Sequence, residues 1–196
     1  MDLIAQEIYR LSRLSQTLLR LSALEQQSAP ASLTEFSLDE QLRQVILRLE
    51  PTWSARGISW QLDLNSVTVV SDEELLSHVW MNIIQNAIKF SPENAVIEVR
   101  VFATDTATVE TTDHGIGMDD ATVKRIFDRF YQADRSRKQE GVGLGLCLVK
   151  RILDMLGGTV SVDSRPGEGS TFRIHVPFRP KYDEAAHTGE REGKSP

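Results

Sequence analysis

At 196 residues the chain is long enough for one full hydrophobic core with room for an appendage. Its formal net charge of −6 gives no electrostatic reason to expect nucleic acid as a partner, and a single cysteine excludes a disulfide within the chain. No uninterrupted apolar run approaches the roughly 18 residues of a membrane span, and no signal-peptide pattern opens the sequence.

Residues 2–27 carry Ile4, Leu11 and Leu18 seven apart, with Leu14 and Leu21 between them and Ile8, Leu19 and Leu24 widening the stripe. This spacing predicts an amphipathic helix of near-heptad pattern, broken by Ser28-Ala-Pro-Ala-Ser32. A lone helix cannot bury such a stripe. A symmetric partner chain is the expected cover, with docking onto its own domain as the alternative. Ser37-Leu-Asp-Glu40 reads as a capping box that opens a helix with Leu42, Val45, Ile46 and Leu49 inward, closing near Gly57. Alternation from Ile58 to Leu64 and the run Val67 to Val70 predict two strands.

Ser71-Asp-Glu-Glu74 is expected to cap the helix around which the chain is organised. Leu75, Leu76, Val79, Trp80, Ile83, Ile84, Ala87 and Ile88 make a broad apolar face, while His78, Asn82, Asn86 and Lys89 fall on the opposite side. Two carboxamides and an amine along one line suit a polyphosphate and its metal, because an Asn carbonyl is a hard neutral ligand for Mg²⁺. A solvated polar face would look the same from this helix alone. Strands at residues 95–103 and 106–112 lead into Asp113-His-Gly-Ile-Gly117, and a short helix follows from Met118 or Asp119 to about Phe127. The polar stretch from Arg129 to Glu140 has little periodicity and reads as a long loop, mobile without a ligand between Gln132 and Gly141. Gly141, Gly143 and Gly145 precede a helix over 146–156, which Gly157 and Gly158 stop. Strands at 159–164 and 170–178 form a hairpin, and the tail from Arg179 has almost no apolar content and reads as disordered.

The Gly141-Val-Gly-Leu-Gly145 run can cradle phosphate with its backbone N–H groups and the helix N-terminus behind it. It has neither the spacing of a P-loop nor that of a dinucleotide fold. Asp113, at a strand end beside two glycines, can accept a hydrogen bond from a ligand amine.

Taken together, Asn86-Ala-Ile-Lys-Phe-Ser-Pro92, Asp113-His-Gly-Ile-Gly117, Ile126-Phe-Asp-Arg-Phe-Tyr131, Gly141-Val-Gly-Leu-Gly-Leu146 and Gly167-Glu-Gly-Ser-Thr-Phe172 resemble the N, G1, F and G2 boxes and closing strand of sensor histidine kinases. The stretch from Glu7 to Glu25 is similar to the second helix of that family's dimerisation domain. The resemblance implies an α+β fold, a two-layer sandwich of a mixed sheet with three helices on one face (the Bergerat fold of GHKL ATPases), preceded by an N-terminal helix. It divides the chain into a partial dimerisation helix (1–30), an ATP-binding catalytic domain (31–178) and a tail (179–196).

It further implies that Asn86 binds Mg²⁺ with Asn82 in support, that Lys89 reaches phosphate and that Asp113 holds the adenine amino group. Gly115 and Gly117 would admit the base, while Gly141, Gly143 and Gly145 would close over the phosphates. Phe127 and Phe130 would anchor the lid, and Phe90, Leu144, Leu146 and Thr171 complete the expected ATP-binding set. His114 stands where the family has an amide and is expected at the surface; Cys147 is expected as a buried thiol without redox duty.

The family's phosphate-accepting histidine is followed by an acid, a basic residue and a proline, and His78, His114, His175 and His187 all lack that setting. The chain therefore reads as starting within the second dimerisation helix, without the acceptor helix. The expected partners are ATP, a second copy in the full-length protein and the receiver domain of a response regulator, in the cytoplasm, with any membrane anchor on segments outside this sequence. A GHKL-type ATPase would carry a glutamate base one turn before the metal asparagine, where this chain has Asn82. An anti-sigma serine kinase would not explain the N-terminal helix, and a nucleotide-binding module without chemistry is the remaining alternative.

Overall fold

The periodic stretches become elements close to where their patterns put them. The computed structural model describes residues 3–26, 32–132 and 143–179. The elements run α1 (Leu3–Gln26), β1 (Thr34–Ser37), α2 (Leu38–Arg48), α3 (Glu50–Ser54), β2 (Ser59–Leu64), β3 (Thr68–Ser71), α4 (Glu73–Phe90), β4 (Val96–Ala103), β5 (Ala107–Asp113), α5 (Asp120–Val123), α6 (Gly145–Leu156), β6 (Thr159–Arg165) and β7 (Gly169–Val176). The expectations for Gly141, for the rest of the loop before it and for the tail beyond Arg179 fall outside the described residues. Among the described residues no helix is long and apolar enough to cross a membrane.

Five strands form one mixed sheet in the order β2-β4-β5-β7-β6. The β2–β4 pair is parallel and the other pairs are antiparallel. A parallel pair needs a crossover, and α4 lies on the chain between its two strands. Alternate residues Ile97, Val99 and Val101 of β4, Val109 of β5 and Phe172, Ile174 and Val176 of β7 are buried. They meet Trp80, Ile83, Ile84 and Ile88 of α4 and Ile152, Leu153 and Leu156 of α6 in one core. Helices α2, α4 and α6 thus share one side of the sheet, giving the α+β two-layer architecture expected from the sequence. The other side is polar, with Arg173 bonded to Glu110 at 2.5 Å and Arg100 bridging Asp63 and Glu110. Helix α2 is pinned to α4 by a buried amide: Trp80 Nε1 donates to Gln41 Oε1 at 2.7 Å, and Gln41 Nε2 donates to the Glu73 carbonyl at 2.7 Å.

Several boundaries differ from the sequence reading. Strand β1 carries no alternation and was not expected; it pairs antiparallel with β3 in a separate two-stranded ribbon. Helix α2 stops at Arg48 rather than near Gly57, because Pro51 has no N–H to continue it and instead starts the short α3. The cap of α4 is Asp72, whose carboxylate accepts from Leu75 N at 3.0 Å, while Ser71 ends β3. Ser37 precedes α2, but its hydroxyl donates to the Asp39 carboxylate instead of closing a capping box. The helix expected from 118 or 119 to 127 is only the turn α5, capped by Asp119 on Thr122 N.

The N-terminal helix also departs from expectation. Leu21 and Leu24 are only 3% exposed, and Arg151 Nη2 on α6 donates to the Leu24 carbonyl at 2.8 Å. The last turn of α1 therefore docks on its own domain, where the apolar side chains find α6 and an orphan helix carbonyl finds a guanidinium. Ile8, Leu18 and Leu19 of the same helix stand exposed.

Candidate functional site

The burial of one side of α4 dictates where its other side points. His78, Asn82, Asn86 and Lys89 are each half-buried on the side away from Val79, Ile83 and Ala87. Asn82 Nδ2 donates to the His78 carbonyl one turn back, at 2.8 Å. That bond sets the amide, so its oxygen faces Gly145, the first residue of α6; a Cβ on Gly145 would lie 2.6 Å from Asn82 Oδ1. The asparagine face and the start of α6 are thereby in contact. Among the described residues no side chain caps α6, whose preceding residue is Leu144, so the start of α6, with the positive end of its dipole, can face an anion.

We expect Gly145→Ala to displace the Asn82 carboxamide and weaken ATP binding about tenfold without unfolding the chain, since the added methyl meets the end of a side chain. Calorimetry beside thermal melting checks this, and an unchanged affinity would contradict it.

Gly143 lies at φ 73°, and its carbonyl accepts from Phe130 N at 2.9 Å, so the described ends on either side of residues 133–142 are joined. Phe127 is half-buried against the core with Tyr131, and Ile126 is buried. Phe130 differs from its expected part. Its backbone is left-handed at φ 60° and the residue is 52% exposed, so among the described residues it contributes a backbone hydrogen bond, while Ile126, Phe127 and Tyr131 supply the apolar anchorage. The Arg125 guanidinium covers the Tyr131 ring at 4.4 Å. Leu146 and Cys147 are half-buried on α6, the latter less enclosed than expected.

At the far end of the asparagine helix, Asp113 closes β5 opposite Ser170 and is 5% exposed. Burial pushes its carboxyl above the usual range; the backbone N–H groups of Gly115 and Ser170 and the nearby His114 partly offset this. Gly115 N donates to Asp113 Oδ1 at 2.9 Å. A Cβ on Gly115 would fall 2.3 Å from the Phe90 carbonyl, which accepts from Ile116 N at 3.4 Å, so only glycine lets this turn seat on the end of α4. Gly117, at φ 61°, lies against the Arg165 carbonyl of the following hairpin. His114 is exposed as expected and pairs with Glu98 at 3.0 Å.

Thr171 is the residue that geometry moves away. Strand alternation turns it to the outer face of the sheet, where its hydroxyl lies 2.9 Å from that of Thr112. Its neighbour Ser170 lies on the Asp113 side, buried, with its hydroxyl 2.9 Å from that of Ser164. The signal was in the sequence: Phe172 and Ile174 are core residues of the same strand, so the polar position sharing their face is 170, not 171.

A cleft of 310 Å³ opens where the end of α4 meets this turn, with Lys89, Phe90, His114 and Ile116 on its walls. The Lys89 ammonium sits 4.7 Å above the Phe90 ring. A larger cleft of 490 Å³ lies at the opposite end of α4, between Glu40, Gln44, Glu73 and Glu74, and includes none of the glycine-motif residues. Among the described residues there is no group of three or more His, Cys, Asp or Glu side chains suited to hold a metal. The donor set beside α6 is neutral carboxamide oxygen, which fits Mg²⁺ carrying most of its shell as water and phosphate, and does not fit a metal caged by protein alone.

Residues 71–180 match the family described as histidine kinase-, DNA gyrase B-, and HSP90-like ATPase. The chain is 32% identical over 181 residues to the heme sensor protein HssS of Staphylococcus saprophyticus subsp. saprophyticus, an alignment spanning 90% of this chain and 39% of that protein. It is 32% identical over 189 residues to the sensor-like histidine kinase SenX3 of Mycobacterium tuberculosis, spanning 94% of this chain and 45% of that one. Among solved structures, full-length ShkA in complex with AMPPNP superposes with a TM-score of 0.78 at 28% identity, over 87% of this chain and 36% of that chain. This chain thus spans less than half the length of these relatives.

Proposed function

The chain belongs to the family of histidine kinase-, DNA gyrase B- and HSP90-like ATPases, and from that membership we propose that it is the catalytic part of a two-component sensor histidine kinase, holding Mg²⁺ and ATP for γ-phosphoryl transfer to a histidine on a dimerisation helix. The observation that carries the kinase reading over the ATPase one is Asn82. It stands one turn before Asn86, its amide nitrogen is committed to the His78 carbonyl and its oxygen faces Gly145. A carboxamide so placed can accept a hydrogen bond but cannot take a proton from water.

In this reading the chain binds and orients, which is most of what a loose phosphoryl transfer asks of a protein. Asn86 holds Mg²⁺, which when bound neutralises charge on the phosphate oxygens. Lys89 meets phosphate from the end of α4, and the N–H groups at the start of α6, with Gly141, Gly143 and Gly145, enclose it. Asp113 accepts from the adenine amino group with Ser170 at its side. The partners proposed are a second copy of the full-length protein, which supplies the acceptor histidine, and the receiver domain of a response regulator, in the cytoplasm. The AMPPNP complex of the ShkA relative supports the nucleotide part of this reading.

Calorimetry with Mg²⁺ present tests it. ATP is expected to bind at least about tenfold tighter than GTP, whose carbonyl at the same ring position would leave the buried Asp113 carboxylate facing another acceptor. Equal affinities would remove the adenine assignment.

A further inference from the structure

The end of α4 is held by a residue that belongs to none of the motifs. A helix leaves its last carbonyls without intrahelical donors, and here Lys89 and Phe90 occupy that last turn. The Ala87 carbonyl accepts from Ser91 N at 3.1 Å and from Ser91 Oγ at 2.7 Å, and the Phe90 carbonyl accepts from Ile116 N. A further partner comes from 33 residues upstream: Arg56 Nη1 donates to the Lys89 carbonyl at 3.0 Å, and Arg56 Nη2 donates to the Ser91 carbonyl at 2.6 Å. Ser91 is extended at φ −70° and ψ 150°, so no left-handed glycine turn closes this helix. The forked guanidinium closes it instead, with its charge at the negative end of the helix dipole.

The turn that carries Arg56 is itself fixed. The Arg56 carbonyl accepts from Asn94 N at 2.9 Å. Asn94 has a left-handed backbone at φ 59°, and a Cβ on Gly57 would lie 2.2 Å from its side-chain oxygen. The segment from Ser91 to Asn94 is thus gripped at both ends by residues 56 and 57. Arg56 also lines the 310 Å³ cleft together with Lys89, Phe90, His114, Gly115 and Ile116. Arg56 therefore holds the end of the asparagine helix and borders the space beside the Asp113 turn.

We propose that Arg56 is a positioning residue of the nucleotide site, fixing the last turn of α4, from which Lys89 reaches phosphate. The proposal rests on the reading of Lys89 as a phosphate contact. It requires that losing Arg56 weaken the phosphate-dependent share of binding more than the base-dependent share, which Asp113 supplies from β5.

The experiment measures Mg-ATP and adenosine affinities of the full chain by calorimetry, with thermal melting alongside, for Arg56→Met, Arg56→Lys, Lys89→Met and the double variant Arg56→Met with Lys89→Met. Arg56→Met should weaken ATP about tenfold and adenosine by less than about twofold. Arg56→Lys should recover only part of the loss, since an ammonium group does not fork onto two carbonyls in the geometry of a guanidinium. Adding Arg56→Met to Lys89→Met should cost little more than Lys89→Met alone, the non-additivity expected when one residue acts through the other. Equal losses for ATP and adenosine, or a full ATP affinity in Arg56→Met, would overturn the proposal. If Arg56→Met does not fold, the same ATP-to-adenosine comparison is read on Arg56→Lys. A normal loss in Lys89→Met with none in the Arg56 variants would overturn this inference alone, whereas an unchanged ratio in Lys89→Met would overturn the phosphate reading of Lys89 and the inference with it.

Discussion

Asp113→Asn is expected to weaken Mg-ATP binding roughly thirty- to hundredfold and to remove most of the preference over GTP, the scale set by a hydrogen bond to a buried charged group. The carboxylate ends β5 with one oxygen already receiving Gly115 N, and Ser170 N–H also reaches the group. In the asparagine variant the carbonyl oxygen would keep that backbone contact. Its NH₂ would then turn a donor toward the donor of adenine, which is the loss the binding experiment reads. The pH dependence follows from the raised pKa, whose first cause is burial. Because the folded chain holds this proton to higher pH than the unfolded chain, the associated stability is full below the ordinary carboxylate pKa and is lost as pH rises through the raised value. Binding runs the other way: the ionised group is the better acceptor, so ATP affinity should fall as pH drops through the same raised value. Urea midpoints and calorimetric affinities across that window should both change slope in Asp113→Asn. Identical pH profiles in the two proteins would contradict the assignment.

Asn86→Ala is expected to abolish the effect of Mg²⁺ on ATP affinity and to reduce phosphoryl transfer by more than about a hundredfold, as expected when the ion that neutralises the phosphates loses its protein ligand. Asn86 is half-buried on a long helix, and alanine is a better helix former, so the fold should persist. Asn86→Asp separates metal binding from phosphate binding. It retains an oxygen donor but sets a negative charge beside the phosphates, so it should keep some Mg²⁺ dependence at lower ATP affinity. The measurement is ATP titration with Mg²⁺ and with a chelator. An unchanged Mg²⁺ dependence in Asn86→Ala would place the ion elsewhere.

What could be read from the sequence was what local periodicity encodes. The two faces of α4 follow from a 3.6-residue repeat sustained over eighteen residues, and the glycine-flanked Asp113 turn follows from residues that tolerate close backbone approach. What escaped depends on neighbours distant in the chain. Strand β1 has no alternation and exists because β3 offers a pairing edge. The cap of α4 fell on Asp72 because β3 keeps Ser71 in its ladder. Thr171 and Ser170 exchange places through a single residue of register, which reverses the face of a strand residue. The docking of Leu21 and Leu24 needed α6 and Arg151, more than a hundred residues away, and the role argued for Arg56 needed the helix end that it clamps.

We propose that this chain positions ATP for transfer to a histidine rather than for hydrolysis. The most direct measurement gives γ-labelled ATP and Mg²⁺ to the chain, alone and with a separately prepared dimerisation domain carrying the acceptor histidine, and reads both label and released phosphate. The expected result is slow hydrolysis, no acid-labile label on the chain itself, and acid-labile, alkali-stable label on the supplied domain. Acid-stable, base-labile label on serine would point to an anti-sigma kinase, and brisk release of phosphate with no label on the supplied histidine would contradict transfer to histidine and identify an ATPase.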